Sequence, residues 1–361
     1  MITTSAPLDI GEIATCFPLP GAFVSAVPYG NGHINETYLV VTGEARRHIF
    51  QKINHRIFRD VPALMENIQR VTSHLAARSP RALTLVPARD GAPCARDTAG
   101  HWWRAYAFIE GAHTVDQVTE PRQAREAARA FGEFQAQLAD LPGGRLHETI
   151  PRFHDTRRRF EALQMAIQAD VRNRAAGVHP EIEFALAREG DTGVLLGLLE
   201  RGEVQERVTH NDTKINNVML DDATGRGVSV IDLDTVMPGL ALYDFGDMVR
   251  TSTSTAAEDD PVPSRMRLQL PLYRALVEGY LETAGDTIGA AERAHLGFAG
   301  QLMSYEVGIR FLSDYLAGDV YFRTRYPEHN LVRARTQFAL VRSIEEQSGA
   351  MARVVAEVHG C

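Results

Sequence analysis

Four polar residues in the stretch "VTHNDTKINNVMLDDATGRGVSVIDLDT" have types and spacings that suit chemistry. His210 precedes Asp212 by two positions, Asn217 follows Asp212 by five, and Asp232 follows Asn217 by fifteen. An amide oxygen and a carboxylate at one point suit Mg²⁺, which takes such oxygens together with water and phosphates. A further carboxylate nearby could accept the proton of an attacking hydroxyl. The pattern therefore predicts a site for metal-assisted group transfer.

The same spacing, H-x-D-x-x-x-x-N followed by an Asp after the next strands, occurs in enzymes that transfer phosphoryl groups. The alternative is a polar turn before a hairpin, in which Asn and Asp side chains make local backbone bonds. Because Asp232 ends a strand-like segment in a chain with a suitable order of elements, the sequence favours phosphoryl transfer.

Two short strands must position these residues. "NVMLD" and "VSVID" flank the turn "DATGRG" and predict a hairpin. If they pair, Asn217 and Asp232 come to the same end of that hairpin, and Asp212 lies on the loop that precedes it.

The first hundred residues are rich in strand-forming residues. "YLVVT" and "RHIFQKIN" predict a hairpin around "GEA", and "ALTLVPA" and "HWWRAYAFIEG" predict two more strands. Between the two pairs, "DVPALMENIQRVTSHLAA" has Leu64, Ile68, Val71 and Leu75 at helical spacing.

Helical patterns dominate after Gly111. Examples are "EPRQAREAARAFGEFQAQLADL", "RMRLQLPLYRALVEGYLETAG" and "AERAHLGFAGQLMSYEVGIRFLSDYLAG". The sequence therefore predicts an α+β, bilobal protein-kinase-like fold. Residues 1–110 form a small β-rich N-terminal lobe that binds nucleotide, and residues 111–361 form a larger, mostly helical C-terminal lobe. A linker near 108–112 joins them, and a ligand is expected between them.

Composition limits the class of protein. The chain has 361 residues, 44% hydrophobic residues and a net charge of −8, with no strongly basic block, so a nucleic acid partner is not expected. Three cysteines at long spacings, Cys16, Cys94 and Cys361, fit neither a zinc site nor a disulfide framework. Because neither a signal peptide nor a membrane-length apolar run is visible, we expect a reduced, cytoplasmic protein without membrane partners.

Two departures separate the chain from protein kinases. The second element reads "IDLDT", without the D-F-G and A-P-E segments, and the early element "YGNGHINETY" is not G-x-G-x-x-G. Gly30 and Gly32 could still let backbone N–H groups approach phosphates, although glycine pairs mark many hairpin turns.

The chain resembles small-molecule kinases of the aminoglycoside phosphotransferase and choline kinase type, and within them the N-acetylhexosamine 1-kinase family. The matching segments are "YGNGHIN", "HNDTKINN", "IDLDTVMPG", "YDFGD" and "RFLSDYLAGDVYF" with "YPEHNLVR". The resemblance covers nearly the whole chain. It implies ATP and Mg²⁺ as co-substrate and cofactor, and transfer to the anomeric hydroxyl of N-acetylglucosamine or N-acetylgalactosamine.

The resemblance also implies roles for individual residues. Asp212 is the expected base, with Lys214 near the γ-phosphate, and Asn217 and Asp232 are the expected metal ligands. The remaining implied positions are His210 as a structural residue of the site, Asp244 bracing the catalytic loop, Asp234 as a second metal or sugar contact, and His33, Arg310 and Tyr321 in the sugar pocket.

The nucleotide side is predicted from the fold that the resemblance implies. Gln51 occupies the position that a strand lysine has in protein kinases, and backbone groups of Phe108, Ile109 and Glu110 are expected to hold adenine. Lys52 and Glu66 could pair, but a surface pair is favoured over a nucleotide contact.

Two rival functions remain open at the sequence level. One is another kinase of the same fold acting on an aminoglycoside, choline, homoserine or methylthioribose. The other is a nucleotide-binding module without catalysis, which the joint presence of Asp212, Asn217 and Asp232 disfavours. The C-terminal helix "TQFALVRSIEEQSGAMARVVAEV" could pack within one chain or against a second, so a monomer or weak homodimer is expected.

Overall fold

A computed structural model describes residues 10–30, 32 and 34–360 of the chain. The chain forms two compact units. Unit 1 comprises Met1–Ala112, Asp140–Pro151 and Ile231–Met237, and unit 2 comprises His113–Ala139, Arg152–Val230 and Pro238–Cys361. The second and third segments of unit 1 return to it from regions far along the chain.

Unit 1 is built on an antiparallel sheet with the strand order β1–β2–β3–β6–β4, and β5 pairs with β6. Its helices and strands are α1 (Ile10–Ala14), β1 (Phe23–Pro28), β2 (Glu36–Thr42), β3 (Arg46–Lys52), α2 (Val61–Ala76), β4 (Leu85–Val86), β5 (Ala95–Arg96) and β6 (Trp102–Ala107). The predicted hairpin is β2 and β3, which a short 3₁₀ turn at Gly43–Ala45 connects.

Strand alternation gives the two faces of this sheet different environments. Phe50 on β3 and Trp103 and Ala105 on β6 point into an apolar core that includes Phe17. The intervening residues Gln51 and Arg104 are paired across the two strands and point to the other face. That face therefore carries the polar groups of unit 1.

The helix α2 begins where its sequence predicts. The Asp60 side chain accepts a hydrogen bond from the Ala63 N–H (3.0 Å) and caps the first turn, which also contains a proline. The residues predicted to face the core, Leu64, Ile68, Val71 and Leu75, are all buried. Loss of such a cap costs about 1 kcal/mol of stability.

Unit 2 is mainly helical. Its elements are α3 (Pro121–Gln137), α4 (Thr156–Ala169), α5 (His179–Leu186), α6 (Val194–Glu200), β8 (Arg207–Thr209), β9 (Val218–Asp221), β10 (Gly227–Val230), α7 (Ala241–Ser252), α8 (Leu270–Ala284), α9 (Ala290–Ala294), α10 (Leu296–Ala317) and α11 (His329–His359). Two short strands, β7 (Ala112–His113) and β11 (Met237–Gly239), each begin at the last residue of a unit 1 segment and continue into unit 2. The strands β9 and β10 pair in antiparallel orientation, and β7 lies on the other side of β9.

A glycine permits the close packing of α3 on α8. A Cβ atom at Gly279 would overlap the backbone carbonyl of Arg125. Because no larger residue fits there, the two helices approach to backbone contact at this point.

The predicted α+β class is confirmed, with an antiparallel sheet in the N-terminal lobe and helices in the C-terminal lobe. The helical pattern "AERAHLGFAGQLMSYEVGIRFLSDYLAG" forms two helices, α9 and α10, because the chain leaves helical geometry at His295. In the part of the chain that the structure describes, no helix combines the length and apolar character needed to cross a bilayer.

Candidate active site

The loop from His210 to Thr213 in unit 2 is held through its backbone. The Asp244 carboxylate of α7 accepts hydrogen bonds from the N–H groups of His210 (2.9 Å) and Asn211 (2.7 Å). Asp247, one turn later, accepts from the Thr213 N–H at 2.9 Å. The loop thus has a fixed conformation although Asn211 has a φ of 64°, in the left-handed region.

Burial affects the carboxylate of Asp244 strongly. Removal from water raises the pKa of Asp244 to about 6, although the two backbone N–H groups that donate to the carboxylate act to lower it. His210 is fully buried, with its ring against those of Phe131 and Phe134 at centroid distances of 5.3 and 5.8 Å. The His210 side chain therefore packs beneath the loop, against these two aromatic rings.

Asp212 lies at the tip of this loop with part of its carboxylate exposed to solvent. The Lys214 ammonium is 3.1 Å from Asp212 Oδ2. Burial alone raises the pKa of Asp212, but the Lys214 ammonium and the Arg250 guanidinium outweigh burial and hold the pKa below its usual value. The carboxylate is therefore ionised at neutral pH and able to accept a proton.

Asn217 is buried directly before β9. Its Nδ2 group donates to the Asp212 backbone carbonyl (2.8 Å) and to Asp212 Oδ2 (3.2 Å). Within the described part of the chain no hydrogen bond reaches its Oδ1 atom, and an amide oxygen oriented in this way suits a hard cation. Val218 pairs with Val230 at this end of the β9–β10 hairpin.

Asp232 follows β10 by two residues and belongs to unit 1. Its φ and ψ are both 60°, a left-handed conformation that glycine adopts more readily than aspartate. A carboxylate at such a strained position indicates a functional requirement for the side chain.

Asp234, two residues later, is buried within a polar cluster of unit 1. Its Oδ1 atom accepts from the Arg104 guanidinium, and its Oδ2 atom accepts from Asn35 Nδ2 at 2.5 Å. Arg104 is 0% exposed and also donates to Gln51 Oε1 from Nε (2.9 Å) and Nη2 (2.7 Å). Both oxygens of Asp234 are thus engaged, which disfavours the predicted metal or sugar contact.

The remaining residues predicted for the nucleotide lie in unit 1 as well. Gly30 has a φ of 74°. Among the described residues other than the immediate chain neighbours, no atom lies within 4 Å of a Cβ built on Gly30 or Gly32, which leaves room for a ligand. Arg47 stacks on the Phe108 ring, with 4.0 Å from its Cζ to the ring centroid. Ile109 is half-buried beside it.

Glu110 has partners on both its side chain and its backbone. Its carboxylate pairs with Arg47, and its backbone carbonyl accepts from Arg81 Nη2 at 3.0 Å. Of the backbone groups expected to hold adenine, the Phe108 N–H also has a partner, because it donates to the Arg47 carbonyl at 3.3 Å. The suggested Lys52–Glu66 pair is not formed, because Lys52 lies 3.2 Å from Glu36 instead.

Of the residues predicted for the acceptor, Arg310 and Tyr321 lie in unit 2, Asp234 lies in unit 1, and His33 falls outside the described residues. The Arg310 guanidinium, on α10, is 5.7 Å from the ring centroid of Phe153 and 5.5 Å from that of Phe322. Burial and the charge of Arg159 lower the pKa of Arg310. Tyr321 is 69% exposed.

A buried carboxylate fixes the segment that presents Tyr321. Asp314 accepts hydrogen bonds from the N–H groups of Val320 (2.9 Å), Tyr321 (2.8 Å) and Phe322 (2.9 Å). The aromatic side chain therefore projects from a rigid turn after α10.

Sequence reasoning missed a second support of the catalytic loop. His154 lies with Nε2 3.3 Å from the Asn211 backbone carbonyl and Nδ1 2.9 Å from Glu306 Oε1, and Thr156 donates to Glu306 Oε2 at 2.6 Å. His154 precedes a helix as an ordinary loop residue, so no sequence signal marks it. Arg104 could have been found, because a charge between Trp103 and Ala105 interrupts an apolar strand.

The chain matches a known protein family and several solved structures. The model of the phosphotransferase enzyme family, APH, matches residues 25–288. A microcompartment-associated aminopropanol kinase is similar in structure, with 18% identity, a TM-score of 0.57 and coverage of 95% of this chain and 97% of that chain.

Two further solved structures show the same fold. An aminoglycoside phosphotransferase from Alicyclobacillus acidocaldarius has 14% identity and a TM-score of 0.59, covering 99% of this chain and 98% of that one. An amicoumacin kinase in complex with AMP-PNP, Ca²⁺ and its substrate has 13% identity and a TM-score of 0.61, covering 93% and 92%.

The fold and the family match define a phosphotransferase related to the kinases of small molecules. The chain belongs to the phosphotransferase enzyme family, over most of its length.

Proposed function

We propose that this protein is an ATP-dependent kinase that phosphorylates the anomeric C1 hydroxyl of N-acetylhexosamines, N-acetylglucosamine or N-acetylgalactosamine. The observation that carries the choice of acceptor is the positive charge of Arg310. Within the described residues this guanidinium makes no ion pair or hydrogen bond, although it is half-buried. Its five N–H donors suit the hydroxyl and carbonyl oxygens of an uncharged sugar.

The charges around Arg310 disfavour a cationic acceptor. Arg250 lowers the pKa of both Asp212 and Arg310, so the three groups share one electrostatic neighbourhood. The nearest buried carboxylate on α10, Glu306, has both oxygens engaged by His154 and Thr156. Choline, aminopropanol or an aminoglycoside would therefore bring its positive charge towards that of the Arg310 guanidinium, which is unfavourable.

The acetamido sugar is favoured over other neutral acceptors by sequence resemblance. The segments "HNDTKINN" and "RFLSDYLAGDVYF" resemble those of N-acetylhexosamine 1-kinases. They supply Asp212 on the catalytic loop and Arg310 and Tyr321 on the acceptor side. We place His33 in the same acceptor set on this resemblance alone.

The proposed reaction is a transfer in line. The sugar oxygen forms a bond to the γ-phosphorus, and the bond from that phosphorus to the bridging oxygen breaks, leaving its electron pair on ADP. Asp212 orients the hydroxyl and takes its proton. The lowered pKa makes Asp212 a weak base, and a weak base suffices because an anomeric hydroxyl is more acidic than an ordinary alcohol. Lys214 offsets charge on the γ-phosphoryl group, and positioning supplies much of the rate.

Asn217 and Asp232 are the proposed ligands of Mg²⁺. The Oδ1 atom of Asn217 fits a cation, and the strained backbone of Asp232 indicates a required carboxylate. In the described residues no three His, Cys, Asp or Glu side chains cluster around a metal position, so nucleotide phosphates and water would complete the shell. When bound, Mg²⁺ would neutralise phosphate charge.

The test is phosphorus NMR of the product formed from ATP, Mg²⁺ and each sugar in turn, beside choline and aminopropanol. We expect a sugar phosphate whose phosphorus couples to the anomeric proton, and no product from the amines. ATP consumed with an amine but left intact with both sugars would overturn the acceptor assignment and leave a kinase of another substrate.

A further inference from the structure

The polar cluster around Arg104 points to a role that differs from substrate contact. Arg104 lies in the interior of β6 with no exposed surface, an unusual place for a guanidinium unless partners surround it. Its partners are Gln51 on β3 and Asp234 on the turn after β10. Gln51 in turn donates from Nε2 to Thr37 Oγ1 at 3.1 Å, so the cluster extends across three strands.

The other oxygen of Asp234 connects this cluster to the glycine-containing segment. Asn35 donates to Asp234 Oδ2, and Asn35 Oδ1 accepts from the Asn54 N–H at 3.0 Å. The open glycines Gly30 and Gly32 lie a few residues before Asn35. Asp234 is therefore hydrogen-bonded through one oxygen to the sheet and through the other to Asn35. Asn35 follows the glycines that are expected to approach the phosphates, and residues 30–35 are called the glycine segment below.

A second contact fixes the chain just beyond the turn. Asn67, fully buried on α2, donates to the Val236 backbone carbonyl at 3.2 Å. The turn that carries Asp232 is thus bounded by the Asp234 side chain and by the Val236 carbonyl. Asp232 takes its left-handed conformation between these two fixed points.

We propose that Arg104 and Asp234 form a positioning pair that holds Asp232 and the glycine segment in place for the metal–nucleotide complex, and that Asp234 contacts neither metal nor sugar. Arg104 is a buried cation of unit 1 that donates to Gln51, the residue expected at the position that a strand lysine has in protein kinases. This inference rests on the proposed function through the role of Asp232.

The test is calorimetry of Mg²⁺·AMP-PNP binding, combined with steady-state kinetics in which nucleotide and sugar are varied separately. We expect Asp234→Asn and Arg104→Met each to raise the Kd of the complex at least about tenfold and to leave the KM of the sugar within about twofold. Because both substitutions disrupt the same Arg104–Asp234 pair, the double variant should lose no more nucleotide affinity than the more affected single variant. Arg96→Met, an exposed arginine of β5, is the matched control and should bind normally.

The opposite pattern would overturn the inference. A higher KM for the sugar with unchanged nucleotide affinity in Asp234→Asn would make Asp234 a substrate contact. Thermal melting identifies a variant that fails to fold. If Arg104→Met does not fold, the isosteric variant Asp234→Asn alone tests the inference.

Asp232→Ala separates this inference from the proposed function. If Asp232→Ala loses Mg²⁺·AMP-PNP and Asp234→Asn does not, only the positioning role falls. If Asp232→Ala binds normally, the proposed metal site itself is wrong.

Discussion

At the scale of single residues, the pKa of a carboxylate depends on what surrounds it and not on its motif. Asp212 is partly and Asp244 almost completely withdrawn from water, yet the pKa of Asp212 is lowered and that of Asp244 is raised to about 6. Lys214 and Arg250 supply charge to the first, whereas the second has only backbone N–H groups and distant charges to oppose its desolvation. Their titrations should therefore be separable.

The first residue prediction concerns the proposed base. Asp212→Asn removes the proton acceptor but keeps the size of the side chain, so kcat should fall at least about 100-fold. Initial rates at saturating ATP and sugar check it, with circular dichroism as the folding control. Turnover close to that of the wild type in a folded variant would remove Asp212 from this role.

The second concerns Arg310. A hydrogen bond from a charged group contributes about 1.5–3 kcal/mol, so Arg310→Met should raise the KM of the acceptor about tenfold or more. The affinity for Mg²⁺·AMP-PNP should stay the same. Arg353→Met, an exposed residue of α11, is the control. An unchanged acceptor KM would exclude the sugar contact.

The third concerns pH. Asp244 is ionised above about pH 6, and its carboxylate then accepts both loop N–H groups. We expect kcat to fall as the pH drops through about 6, well above the pKa of Asp212. Asp244→Asn should lower kcat and abolish this acidic limb; a limb that persists in that variant would contradict the assignment.

The effect of Asp244 on the stability of the fold changes with pH in the opposite direction to its effect on kcat. Because the folded protein binds the Asp244 proton more tightly than the unfolded chain, this group stabilises the fold more as the pH falls from about 6 towards its ordinary value of 3.8. Comparison of urea unfolding of the wild type and Asp244→Asn between these pH values measures the contribution.

At the scale of elements, the helix α10 serves the catalytic loop and the acceptor side together. Glu306 reaches the Asn211 carbonyl through His154, and Arg310 follows one helical turn later. The side chains at these two positions share a face of the helix. A shift of α10 would therefore move both the acceptor contact and the support of Asp212.

This gives an element-scale prediction. Glu306→Gln and His154→Phe should lower kcat about 10- to 100-fold, because small displacements of a positioned base are costly, and leave nucleotide affinity unchanged. Glu345→Gln, whose carboxylate pairs with Arg188 at 2.7 Å elsewhere in unit 2, is the matched control. Equal losses of kcat in the control and the two variants would indicate a general effect of stability.

At the scale of the whole molecule, nucleotide and metal should stabilise the chain together. A ligand at 100 times its Kd adds about 2.7 kcal/mol to the stability of the state that binds it. Mg²⁺·AMP-PNP should raise the melting temperature, and AMP-PNP with EDTA should raise it much less. Equal shifts with and without metal would contradict the ligand roles of Asn217 and Asp232.

The sequence by itself determined the elements and the reacting loop. Alternating strand residues and helical spacing predict β2, β3 and α2 because these patterns reflect burial on one face, which is a local property. The spacing of Asp212, Asn217 and Asp232 is likewise carried by a loop and one hairpin. The break at His295 was missed because apolar periodicity continues through it.

Only the tertiary structure decided which polar groups are partners. Arg104, Asp234 and Asn35 lie far apart in the chain, and their contacts arise from strand pairing and from the return of residues 231–237 to unit 1. The same holds for His154 and Glu306. Burial and hydrogen bonding depend on these long-range contacts. Whether an aspartate binds a ligand or positions other residues is therefore a property of the folded chain.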